Sequence, residues 1–164
     1  MHKDAPVDIF DFAVKMEQDG ERFYRDLASQ SADAGVRGIL NGLADDEVKH
    51  GQILREFEKR VNPAMAKTKM LRNAQNVFAD MAAKKSFQAA VTDQKALYRQ
   101  AFEMEKKSRD FYQAQADAAQ EEGAKAVFAQ LREEERQHMF LLENMLDFIS
   151  RPQTWLENAE FNHL

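Results

Sequence analysis

The sequence predicts an all-α protein, a bundle of four long helices made from two copies of one helix pair. Three observations carry this. Across 164 residues there are only 6 Gly and 3 Pro, and the apolar residues recur with a helical period. The stripe Val36, Leu40, Leu43, Glu47, His50, Leu54, Phe57, Val61 advances by alternating fours and threes, the seam of a helix packed lengthwise in a bundle. That stripe returns at an offset of 88 residues as Ala124, Phe128, Leu131, Glu135, His138, Leu142, Met145, Ile149. The helix before it repeats at the same offset: Phe10, Ala13, Glu17, Gly20, Tyr24 and Leu27 become Tyr98, Ala101, Glu105, Ser108, Tyr112 and Gln115.

The elements follow in order. Pro6 suits a first helical turn, and Asp8 and Asp11 suit the positive end of a helix. The first helix is expected over about 7–31 and is followed by a short turn marked by Gly35. The second runs over about 36–61 and stops at Asn62-Pro63, because the residue before proline is pushed out of the α region. The third spans about 92–120, with Gly123 marking the second short turn, and the fourth runs over about 124–150, ending before Pro152. Short turns make each pair antiparallel. Residues 63–91 have no counterpart in the other half. Helices of about 25 residues are roughly 37 Å long, and a connector of this length spans that distance. The expected topology is therefore up-down-down-up with one long crossover.

That connector is locally basic, through Lys67, Lys69, Arg72, Lys84 and Lys85, and reads as a solvated link rather than a docking patch. The bundle is expected to occupy 1–150. The tail 151–164 carries Trp155, Leu156 and Phe161, too apolar to stay exposed, and is expected to dock on the bundle or on a second subunit, which favours a homodimer.

Composition excludes several classes of function. There is no Cys, hence no disulfide framework, iron–sulfur cluster or thiolate chemistry. A formal net charge of −5 gives no reason to expect nucleic-acid binding. No apolar run is long enough for a membrane span or a secretory signal, so the cytoplasm is the expected compartment.

The polar residues inside the seams carry the chemistry. Glu47 and His50, three apart, lie one turn apart on one face, as do Glu135 and His138. Glu17 and Glu105 lie in the seams of the other two helices. Other acids also recur between the copies, namely Asp33/Glu121, Asp45/Glu133 and Asp46/Glu134, but they fall off the stripe and read as solvated face. Any single seam acid or histidine is readily explained as a hydrogen-bonded core polar group. Four buried carboxylates together repel one another and take up protons unless cations offset them, and two divalent ions do so. Carboxylate with imidazole suits Fe or Mn, with Zn an adventitious occupant. Six side chains for two metals leave positions open to oxygen or peroxide.

A Glu from each of two helices with Glu-x-x-His from each of the other two is the ligand set of the ferritin-like dimetal carboxylate proteins. Within them, Met16-Glu-Gln-Asp-Gly-Glu-Arg-Phe-Tyr24 and Ala44-Asp-Asp-Glu-Val-Lys-His50 most resemble rubrerythrins and their short relatives. The resemblance covers about 9–61 and 94–149. It implies a ferritin-like bundle with two iron ions, bridged by Glu47 and Glu135. Glu17 and His50 would complete one iron, Glu105 and His138 the other, these six acting in catalysis through the metals. Tyr24 and Tyr112 would hydrogen-bond the site carboxylates, although a plain core aromatic role fits them too.

Two departures from rubrerythrins stand out. Their rubredoxin domain needs four cysteines, and this sequence has none, so the resemblance implies a separate electron-donor protein such as a rubredoxin. Rubrerythrins also carry a further Glu one turn after the third-helix ligand, and here that place is Ser108, matching Gly20 in the first copy. The set of four Glu and two His is closer to that of bacterioferritin. Gly20 and Ser108 are expected to leave room beside the metals for a substrate oxygen.

The function that follows is a non-haem diiron oxidoreductase, reducing H2O2 or O2 with electrons from that donor. The alternatives are a ferroxidase or iron-handling protein, a dimanganese catalase-like enzyme, and a metal-free helical scaffold.

Overall fold

Asp8 starts the first helix. Its carboxylate accepts hydrogen bonds from the backbone N–H of Phe10 (2.8 Å) and Asp11 (3.3 Å), two donors that have no partner within the helix. The computed structural model describes residues 8–60 and 94–150, and among these every element is a helix: α1 (Ile9–Gln30), α2 (Ala34–Glu58), α3 (Gln94–Ala118) and α4 (Glu122–Ser150). Pro6, the connector 61–93 and the tail 151–164 lie outside the described residues, and with them the expectations for crossover and docking.

The short turns are built differently from expectation. Gly35 and Gly123 both lie inside helices, in the first turns of α2 and α4, and no described residue has a positive φ. The first turn is held by side chains instead. Asp33 caps α2 by accepting from Val36 N–H at 2.9 Å. Arg37 reaches back to donate to the carbonyls of Ser31 and Ala32, each at 2.9 Å. Arg37 thus holds the linker that follows α1, Ser31 N–H caps the Ala28 carbonyl at 3.1 Å, and the turn is made without a left-handed glycine. Asp33 is thus a structural cap rather than simply a solvated acid. Lower on the same pair, Arg55 bonds Asp11 at 2.7 Å and Glu58 at 3.0 Å, tying the start of α1 to the end of α2.

Two apolar clusters reveal the topology. One joins Phe10, Ala13 and Met16 of α1 and Leu54 of α2 to Phe111 and Ala116 of α3 and Phe128 of α4. The other joins Leu27 of α1 and Leu40 of α2 to Leu97 and Ala101 of α3 and Met145 of α4. The beginning of α1 therefore lies beside the ends of α2 and α3 and the beginning of α4. The order is up-down-down-up, and α2 finishes at the opposite end of the bundle from where α3 starts. This is the ferritin-like four-helix bundle expected from the stripes. Between the two clusters, at mid-height, all four seams become polar. No helix among the described residues is long and apolar enough to cross a membrane.

Candidate metal centre

The helical period aims one polar residue each of α1 and α3 and two each of α2 and α4 at the same mid-bundle point. Glu17, Glu47, His50, Glu105, Glu135 and His138 are all buried there, none more than 5% exposed. They form two overlapping groups, each with one ligand-type atom per residue and all such atoms within 4.8 Å of one another. One group is Glu17, Glu47, His50 and Glu135, and the other is Glu47, Glu105, Glu135 and His138. Glu47 and Glu135 belong to both.

The satisfied and unsatisfied atoms divide cleanly. Tyr24 donates its hydroxyl to Oε1 of Glu105 at 2.5 Å, and Tyr112 donates to Oε1 of Glu17. Each tyrosine therefore serves the carboxylate of the other repeat. Their second oxygens, Oε2 of Glu17 and of Glu105, have no hydrogen bond, nor do Oε1 of Glu47, Nδ1 of His50 and both oxygens of Glu135. Nδ1 of His50 lies 2.9 Å from Oε1 of Glu135 but without hydrogen-bond geometry. An unpartnered buried polar atom costs about 1–3 kcal/mol. Six converging on one point fit a pair of cations, and nothing in an apolar core would keep them there.

The histidine rings stack at 5.6 Å with their planes 21° apart. Nδ1 of each faces the carboxylates, and Nε2 faces outward to an acid on the opposite helix. Nε2 of His50 lies 2.5 Å from Oε2 of Glu134, and Nε2 of His138 lies 3.0 Å from Oδ2 of Asp46. A carboxylate accepts, so each ring's Nε2–H is the donor; Nδ1 faces the carboxylates, that of His138 at 3.3 Å from Oε1 of Glu105, and would offer its lone pair to a cation that took the place of its proton. Sequence reasoning placed Asp46 and Glu134 on the solvated face. They are part-exposed, at 45% and 38%, yet they orient the two imidazoles. A signal was present: both acids sit immediately before the shared seam Glu and recur at the repeat offset.

Electrostatics point the same way. Burial, then the charges of Glu17 and Glu105, push the Glu47 carboxyl well above the usual range, and burial with Glu105, Glu47 and Glu17 does the same to Glu135. Burial opposes protonation of His138, but Glu105 and Glu47 outweigh it and push that ring up to about 12. His50 is also raised, with burial opposing and Glu17 prevailing. Without cations, then, the cluster holds protons in their place.

The room expected at Gly20 and Ser108 is not free space. A Cβ at position 20 would lie 2.6 Å from Oε2 of Glu47, so that carboxylate already fills the notch. Ser108 is buried, and its hydroxyl turns back to the Met104 carbonyl at 3.1 Å.

The rubrerythrin family profile matches residues 8–146. The chain belongs to the rubrerythrin family. Its bundle also superimposes on a hypothetical protein from Pyrococcus furiosus with a TM-score of 0.65, covering 92% of this chain and 94% of that one at 19% identity, a likeness of fold alone. A comparison with curated proteins found no match. Rubrerythrins are diiron-carboxylate proteins, and the buried Glu/His cluster is suited to hold metal here.

Proposed function

We propose that this rubrerythrin-like chain is a diiron oxidoreductase that reduces hydrogen peroxide, and O2 more slowly, with electrons from a separate donor protein such as a rubredoxin. The observation that carries this reading is the pair of overlapping four-residue groups sharing Glu47 and Glu135. A shared pair of carboxylates would hold two ions close enough to act on one small oxidant together. Glu17 and His50 would complete one ion's set, and Glu105 and His138 the other's.

When bound, a diferrous pair supplies the two electrons that convert H2O2 and two protons to two waters. The chain's own residues do the rest. Tyr24 and Tyr112 pin Oε1 of Glu105 and of Glu17 and leave Oε2 of each unpartnered, where it could meet a metal. Asp46 and Glu134 fix the imidazoles and connect their Nε2 protons to solvent. Oxygen and nitrogen donors without thiolate favour Fe or Mn over softer metals, with Zn a substitute.

Anaerobic protein loaded with Fe2+ and mixed with peroxide or with O2 tests the reading. Peroxide is expected to oxidise the bound iron at least tenfold faster, two electrons per molecule. Equal rates would remove the peroxidase assignment.

Ser108, at the place of the additional glutamate of rubrerythrins, favours a second reading, ferroxidase activity. That reading expects continued O2-driven oxidation of iron well beyond the first pair per chain.

A further inference from the structure

A groove of about 690 Å3 lies between α1 and α2, and its lining includes the two buried carboxylates Glu17 and Glu47. Helices packed side by side usually close such a groove with interdigitating side chains. Here α2 places Gly51 in the lining, and a Cβ at that position would meet nothing within 4 Å. The space beside the helix is open. The other lining residues include Gln18, Glu21, Gln52 and Glu56, with Arg55 and Lys59 as its cations. Arg55 is engaged by Asp11 and Glu58, and Glu21 has Arg25 at 3.7 Å, a cation held more closely by Asp45 at 2.7 Å, so acidic side chains outnumber the cations along the lining.

At the inner end Glu17 and Glu47 are 2% and 4% exposed, and Oε2 of Glu17 and Oε1 of Glu47 have no hydrogen bond. The groove is thus lined by acids and amides at the surface and by two residues of the buried cluster, each with an unpartnered carboxylate oxygen. Such a low-dielectric, negatively lined cleft concentrates cations and repels anions. Glu47 is the lining residue common to both four-residue groups, so an ion reaching it is in contact with both halves of the cluster.

We propose that this groove is the port through which divalent cations reach the centre, with Glu21 and Glu56 capturing the ion and Glu47 receiving it. This rests on the metal reading of the cluster but not on which oxidant is used.

Uptake of Co2+ by chelator-treated protein, followed by stopped-flow visible absorption, tests it. G51W fills the groove at a position where the backbone tolerates a side chain. G42W on the same helix is the control, since a Cβ at Gly42 also meets nothing within 4 Å and Gly42 is outside the lining. G51W is expected to slow uptake at least tenfold while reaching the wild-type final spectrum and stoichiometry, and G42W to load at the wild-type rate. The double variant E21Q/E56Q is expected to slow uptake severalfold at low salt, the difference vanishing near 0.5 M salt as screening takes over.

A helical, folded G51W that loads at the wild-type rate overturns the port and leaves the metal reading intact. Should G51W not fold, E21Q/E56Q decides, and an unchanged rate at low salt overturns the port. If the wild-type protein takes up no Co2+, the port falls together with the metal reading.

Discussion

Nε2 of His138 on α4 lies 3.0 Å from Oδ2 of Asp46 on α2, and the contact is mirrored by Nε2 of His50 and Oε2 of Glu134 at 2.5 Å. Each acid precedes a cluster glutamate on its own helix but orients the histidine of the other. The two Glu-x-x-His helices are therefore cross-linked through their own repeated motif, and each ring's orientation is set before any ion arrives.

Asp46→Ala or Glu134→Ala should therefore weaken metal binding by about 10- to 100-fold, the usual effect of losing a carboxylate behind a ligand histidine. Competition with a chromophoric chelator measures this. Because both acids are part-exposed, helical content and the apo melting temperature should change little. Unchanged affinity in both variants would reduce these contacts to surface ion pairs.

Tyr24 and Tyr112 are fully buried at 0% exposure and donate to Glu105 and Glu17. A hydrogen bond to a charged group contributes about 1.5–3 kcal/mol, and phenylalanine keeps the ring packing. Tyr112→Phe and Tyr24→Phe should each destabilise the metal-loaded protein by about that amount in denaturant titrations. A plain core aromatic role expects no measurable loss.

The apoprotein should lose stability as pH rises. Glu47 and Glu135 have folded-state pKa values raised by burial and mutual charge, and both histidines are raised as well. A group raised on folding contributes stability that is complete below its unfolded pKa, near 4.3 for Glu and 6.5 for His, and is lost as pH climbs through the folded value. Glu105 is lowered, its hydrogen bonds outweighing the push of burial, so its contribution changes only as pH falls below the ordinary carboxylate range and is constant over the interval that matters here. Chelated protein should thus melt at a lower temperature at pH 8.5 than at pH 6, and metal should abolish most of the difference. An apo melting temperature that rises over this interval would contradict the protonated cluster.

The fold was legible because the same stripes occur twice in register, so periodicity and repeat supported each other. The convergence of Glu17, Glu47, His50, Glu105, Glu135 and His138 was legible for the same reason, since a seam position fixes depth and face. What periodicity does not encode is the rotation of one helix against another. That is why Asp46 and Glu134, just off the stripe, were read as solvent-facing although they meet the histidines across the bundle. Gly35 suggests the turn because glycine is the commonest helix stop, but Arg37 holds the linker through the carbonyls of Ser31 and Ala32, six and five residues away. Gly20 was read as free space because a sequence does not reveal where the Glu47 side chain points.

That last relationship makes the two halves of the centre unequal, and substitution can test it. A Cβ at Gly20 would come within 2.6 Å of Oε2 of Glu47, while the matching place in the other repeat accommodates Ser108. Gly20→Ala adds about 1 kcal/mol of helix propensity and displaces only the far end of a flexible side chain. Apo stability should therefore hold or rise. Metal affinity should nevertheless fall by roughly tenfold, about 1.4 kcal/mol, because the displaced carboxylate belongs to both four-residue groups. Ser108→Gly should do the reverse, costing stability through its backbone freedom while leaving affinity near wild type, since the Ser108 hydroxyl is turned back to Met104. Chelator competition and apo melting on the two variants read both quantities. If Gly20→Ala binds metal as tightly as the wild type, Glu47 has another place to stand and the notch in α1 does not position it.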